Sequence, residues 1–251
     1  MKFTKYFTIL VIFQSVIFAD DIIDISVKGM SYYEAKYGSL VDNVSNIKTP
    51  GYRSKSVTIK TTDSNYDKVI NYGTNFEAGA INHTNNPLDL AIEGDGFFTI
   101  MTPDGIMYTR DGRFKVDAYQ NLVTSTQGFP VIGEGNSAIN ISPHKTLIID
   151  TQGNIVADNI VIDKLQILAI KDKTKLISIN SVLFRLSDNY DLLNSENANY
   201  KVIQGAVEQS NINLTDQMIK MNTNSRKYDA MTKVVQERLK VIDSAINAAK
   251  N

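Results

Sequence analysis

The chain has 251 residues, enough for one large domain or two small ones, with 43% hydrophobic and 21% charged residues. A formal net charge of −1 without a Lys/Arg cluster argues against a nucleic-acid partner. The absence of cysteine excludes disulfides and thiolate chemistry.

The first feature in chain order is a leader-like segment. Lys2 and Lys5 precede an apolar run from Phe7 to Phe18, after which small Ala19 meets Asp20 and Asp21. A basic start, an apolar stretch and a small residue before a polar boundary predict a secretory signal peptide over residues 1–19, cleaved between Ala19 and Asp20. The run is short for a bilayer span of about 20 residues. Its removal leaves 24 basic against 27 acidic groups.

Residues 20–52 are expected to hold the first helix, regular from Asp24 or Ser26 to Ile47. Met30, Tyr33, Tyr37, Leu40, Val44 and Ile47 recur at steps of three and four, the rhythm that keeps one apolar stripe facing a partner. Thr49 is pushed out of the α region by Pro50, and Gly51 supplies the exit turn. The following stretch, 53–86, is polar and rich in Asn, Thr and Gly, and reads as an extended arm.

Residues 87–186 read as β-structure. Leu88, Leu90 and Ile92 alternate with Asp89, Ala91 and Glu93, and short apolar runs then alternate with turn signals at Pro103-Asp104-Gly105, Asp111-Gly112, near Asn121 and at Gln152-Gly153. The Asp-Gly pairs are hairpin signals, because both turn positions tolerate positive φ. A polar connecting segment, 187–212, leads to a second helix over 213–251, with Asn213 at its start and Asp216 complementing the dipole. Its seam runs through Leu214, Met218, Met221, Tyr228, Val235, Leu239, Ile242 and Ile246. The predicted fold class is α+β, with terminal α-helices forming a coiled-coil-like helical domain and a central all-β domain between them.

No catalytic constellation emerges. Asp95, Asp104 and Asp111 each precede a glycine, the place of a turn former rather than of an acid catalyst. His83 and His144 are far apart and lack thiol neighbours. Gly133-Glu134-Gly135-Asn136-Ser137-Ala138 fits a dinucleotide pattern only formally, since it enters a predicted strand rather than a helix. The reading is of a non-enzyme without cofactor, metal or small-molecule substrate, whose helical seams serve self-association in a helical oligomer.

Several ordered motifs carry a resemblance. Asp42-Asn43-Val44-Ser45-Asn46-Ile47-Lys48-Thr49-Pro50-Gly51-Tyr52-Arg53 resembles the Asn-rich signature that closes the first helix of bacterial flagellar rod and hook subunits. Asn86-Pro87-Leu88-Asp89-Leu90-Ala91-Ile92-Glu93-Gly94-Asp95-Gly96-Phe97-Phe98 is similar to their most distinctive internal stretch. Tyr108-Thr109-Arg110-Asp111-Gly112-Arg113-Phe114 and Gln204-Gly205-Ala206-Val207-Glu208-Gln209-Ser210-Asn211 continue the order. The resemblance implies an inner tube of terminal helices with β-domains outside it. It also implies a subunit of the basal-body rod that transmits torque beside itself and other axial proteins, with cargo passing through the lumen. The short stretch between Arg53 and Asn86 looks closest to the proximal rod subunit, with the distal subunit as the alternative. Lys48 stands where the family usually has Asn, and Asp42 where its first Asn usually lies. A secretory leader also departs from the family's usual type III export, and it suggests the alternative of a periplasmic scaffold or collar around the basal body.

Overall fold

The computed structural model describes residues 2–61, 68–141, 147–170, 172–187 and 199–250, with side chains from residue 23 to 248 apart from 61 and 68. The Ala19 and Asp20 side chains lie outside that set. The chain divides into two compact units, one of residues 1–42, 55–73 and 214–251, the other of residues 43–54 and 74–213.

The first unit holds two long helices, α1 (Lys2–Ser45) and α2 (Leu214–Lys250), with a ribbon of β1 (Lys55–Thr61) and β2 (Lys68–Thr74). Helix α1 starts at Lys2 rather than near Asp24, because no Gly or Pro interrupts the apolar run ahead of it. It ends at Ser45 rather than Ile47. The amides of Asn46 and Ile47 donate to the carbonyls of Asn43 and Val44, tightening the last turn to i→i+3 bonds. Ile47 therefore sits in the exit turn, off the helical seam. Among the described residues no helix is long and apolar enough to cross a membrane.

The two helices pack together and run antiparallel. Asn224 Nδ2 donates to the Tyr33 carbonyl at 2.8 Å, Tyr228 OH donates to Glu34 Oε1 at 3.0 Å, and a β-carbon placed on Gly29 would lie 3.4 Å from the Met231 methyl. Shielded positions on α2 follow a four–three rhythm through Gln217, Met221, Asn224, Tyr228, Met231, Val235, Arg238, Ile242 and Ala245, with Asp216 and Thr232 beside it. The seam is half polar. Gln217 and Asn224 are its most buried members, and Ser26, Ser39 and Leu40 are buried on α1.

The second unit is β-rich, which the alternating sequence predicts. Its strands are β3 (Ile81–His83), β4 (Leu90–Gly94), β5 (Phe97–Thr102), β6 (Gly105–Thr109), β7 (Phe114–Val116), β8 (Leu122–Thr124), β9 (Leu147–Ile149) and β10 (Asn154–Ala157). There follow β11 (Ile160–Lys164), β12 (Ile167–Leu168), β13 (Leu176–Ser178), β14 (Leu183–Leu186), β15 (Tyr200–Gln204) and β16 (Ala206–Glu208). They form a five-stranded sheet ordered β12-β5-β6-β14-β13, a three-stranded sheet β11-β10-β9, and the pairs β15-β4, β16-β3 and β7-β8. Leu90, Ile92, Phe98, Ile100, Phe114, Leu122, Ile155 and Val202 meet in one core, where Phe98 and Phe114 stack edge to face. A smaller cluster gathers Phe97, Tyr108 and Phe184 under Phe76.

Three expectations are corrected here. The stretch 53–86 is not only an extended arm: β1, β2 and β3 form in it, the first where Val57 and Ile59 alternate with polar residues and the second around the adjacent β-branched pair Val69-Ile70. The segment 187–212 is not only a connector, because β15 pairs with β4 and β16 with β3, both antiparallel. Asp111-Gly112 does not close a hairpin. The Gly112 carbonyl accepts from the Leu90 amide at 2.9 Å, and a β-carbon there would collide with the Leu90 carbonyl, so glycine serves close backbone approach.

Other turns hold. Pro103-Asp104-Gly105 joins β5 to β6, with Gly105 at φ +106°. The β7–β8 and β9–β10 hairpins share one device. Asp117 Oδ1 accepts from the amides of Tyr119 and Asn121, and Asp150 Oδ1 accepts from those of Gln152 and Asn154. In each, the other carboxylate oxygen takes the asparagine amide. Asp158 and Asn159, at φ +50° and +68°, make the two-residue turn between β10 and β11 that the sequence reading passed over.

Candidate functional site

The β-rich unit closes around a buried ionic joint. Glu208, on β16, places Oε1 2.6 Å from Arg53 Nη1 and Oε2 3.1 Å from Arg110 Nη1, with all three side chains nearly solvent-free. Glu208 Oε1 also accepts from the Gly79 amide at 2.8 Å. Arg110 donates to the carbonyls of Ile92 and Gly94, and its guanidinium lies 5.1 Å from the Phe97 ring centroid. Burial pulls Arg110 below its ordinary pKa, and the Glu208 charge opposes that pull. A carboxylate between two guanidiniums holds together the segment that carries Arg53, the end of β4 bonded by Arg110 after β6, and β16.

Asn211 adds an uncharged clamp beside it. Its Oδ1 accepts from the Ser54 amide, and its Nδ2 donates to the carbonyls of Asn75 and Glu77. The motif residues fall around these groups. Tyr52 OH donates to Asn43 Oδ1 at 3.1 Å, both buried, and Thr49 donates to Asn46 Oδ1. Gly51, at φ +69°, donates its amide to the Glu208 carbonyl. Asp89 accepts from Thr84 and Asn86, and the Pro87 carbonyl accepts from Gln204, fixing Leu88 at the core's edge. Gly94 and Gly96 make the corner before the buried rings of Phe97 and Phe98.

The sequence reading quoted Arg53, Arg110 and Glu208 inside its motifs without singling them out. No local signal sets them apart, because the same motifs also hold Asp42, Lys48, Asp111 and Arg113. Among the described residues no three His, Asp or Glu side chains come together as a metal-ligand group.

The predicted seam splits in two. Met221, Tyr228, Val235 and Ile242 occupy the half-buried rhythm on α2, while Leu214, Met218, Leu239 and Ile246 are exposed, as Tyr37 is on α1. Leu40 is buried, and Met30, Tyr33, Val44 and Ile47 are half-buried. Val234 and Val241 are also exposed, on the flank of the seam opposite Leu239 and Ile246. Two-stranded coils put charges at such flanking positions. Apolar residues on both flanks suit a helix covered by more than one neighbour.

Comparison with known proteins agrees with this architecture. Residues 91–181 match the family described as "Flagellar hook protein FlgE/F/G D1 domain", and residues 203–247 match "Flagellar basal body rod FlgEFG protein C-terminal". The flagellar basal-body rod protein FlgF of Buchnera aphidicola subsp. Baizongia pistaciae is 31% identical, over 78% of this chain and 84% of that protein. FlgG of Bacillus subtilis is 26% identical over 88% and 96%, and FlgF of Rhizobium meliloti 29% identical over 85% and 91%.

Proposed function

This chain belongs to the FlgF/FlgG family of flagellar basal-body rod proteins, and from that premise we propose that its helix pair binds neighbouring axial subunits in a helical oligomer. It is a structural, non-enzymatic subunit of the basal-body rod. The observation that supports assembly through the helices is the double flank of exposed apolar residues on α2, Leu239 and Ile246 on one side and Val234 and Val241 on the other. The buried joint of Arg53, Glu208 and Arg110 suits a part that transmits torque, because it ties distant segments of the β-rich unit into one body.

Within the rod we assign the chain to the proximal segment, supported by the short stretch between Arg53 and Asn86. We assign it the periplasmic route through the basic, apolar and small-residue order that ends at Ala19. The test is to purify basal bodies and locate the chain by mass spectrometry and gold-labelled antibody, beside a strain lacking its gene. The reading requires the chain in the rod and arrested rod growth in its absence. Complete rods without it would overturn the proposal.

A further inference from the structure

The helical unit carries a cleft that the packing of α1 on α2 does not fill. Its volume is about 430 Å³. Tyr33, Tyr37 and Tyr228 wall it, Glu34 sits at its rim, and Gly38 opens it, since a β-carbon at Gly38 would meet nothing within 4 Å. Glu34 accepts one hydrogen bond, from Tyr228 OH, which raises that phenol's pKa, and its other carboxylate oxygen takes none among the described residues. Three phenol rings beside a carboxylate make a receptor for an organic cation, attracted by the ring faces and neutralised by the acid.

The complementary group lies elsewhere on the same chain. Helix α2 carries seven basic against four acidic residues. Arg226, Lys233 and Lys240 recur every seventh position, all exposed, on the side turned away from the α1 seam. Arg226 and Lys233 make no ion pair among the described residues, while Lys240 reaches only Glu237 on its own helix. We propose that the tyrosine-walled cleft of one subunit receives a guanidinium or ammonium group from the outer basic stripe of a second copy. Cleft and stripe are different patches, so the contact is head to tail rather than a closed two-fold dimer, and where its rotation does not close a ring it propagates into an open helix. The inference rests on the reading of the chain as a self-assembling rod subunit, and it adds the pair of surfaces and the chemistry that joins them.

Gly38→Leu fills the cleft with a residue of better helix propensity, so the helix pair keeps its fold. Arg226→Gln with Lys233→Gln neutralises the stripe. Sedimentation of the purified full chains should show self-association weakened about tenfold or more in either variant. The wild-type contact should weaken as salt rises. An equal mixture of the two variants should form one-to-one pairs, because each retains the face that the other lacks. Gly38→Leu associating like wild type, a mixture no tighter than either variant alone, or a wild-type chain monomeric at every concentration would overturn the inference. Location in the basal body is read independently in cells, so failure here is distinguishable from failure of the rod assignment.

Discussion

Glu208 is the carboxylate shared by both guanidiniums of the buried joint. Replacing it by glutamine leaves Arg53 and Arg110 buried together without a counter-charge, although shape and most contacts persist. Breaking a buried pair by removing one partner costs about 3–5 kcal/mol. Glu208→Gln should lower stability by that amount in urea titrations. Asp111→Asn, whose partner Arg113 is 37% exposed at its side chain, should cost about 1 kcal/mol or less. Equal losses in the two variants would show that the joint is no more than another ion pair. The twin Asp–Asn hairpins offer a second comparison. Gly153 and Gln120 both stand at positive φ, +85° and +65°, but only one is a glycine. Gly153→Ala should destabilise by about 1–2 kcal/mol, and Gln120→Gly should be neutral or stabilising by up to ~1 kcal/mol, measured by thermal unfolding.

At the scale of elements, the compact β-rich unit extends beyond its most strand-like stretch. Strands β15 and β16 complete pairs with β4 and β3, so Tyr200–Glu208 belongs to the β-rich unit as firmly as Phe97–Thr102. Limited proteolysis should leave a protected core that includes residues 74–141 and 199–213, whereas a core ending at Leu186 would contradict the pairing. The helices and the turns at Gly105, Asn121 and Gly153 were legible in the sequence because each rests on local periodicity or on one side chain bonding its near neighbours. The role of Gly112 was not legible, because the Leu90 carbonyl that excludes a side chain there comes from another strand. The joint was hidden for the same reason: Arg53 and Glu208 meet only once the strands pair. The polar half of the helical seam was missed by counting apolar residues alone. Asn224 shows the consequence, since a buried amide fixes register at a cost in stability. Asn224→Leu should raise the melting temperature of the helical signal while broadening the distribution of oligomers in sedimentation. A variant with lower melting temperature would show that the amide stabilises rather than specifies. The proposed cleavage after Ala19 has its own test: N-terminal sequencing of the chain from cells should begin at Asp20, and an intact start at Met1 from assembled flagella would exclude it.

At the scale of the whole molecule α2 presents two faces, one that holds α1 inside the subunit and one that we propose meets neighbours outside it. Leu239 and Ile242 are three residues apart and separate these faces, the first exposed and the second in the shielded rhythm. Ile242→Asp should reduce the helical content of the monomer itself. Leu239→Asp should leave the monomer's circular dichroism unchanged, because the new carboxylate stays in water. In an assembled rod that carboxylate would be buried without a partner at every copy, at a cost of about several kcal/mol per interface. The most direct measurement is therefore rod assembly and swimming in cells whose sole copy is Leu239→Asp, beside circular dichroism of the purified variant. Assembly through this face of α2 requires a normally folded chain, no rods beyond the block and no motility; a variant that assembles and swims like wild type would contradict it.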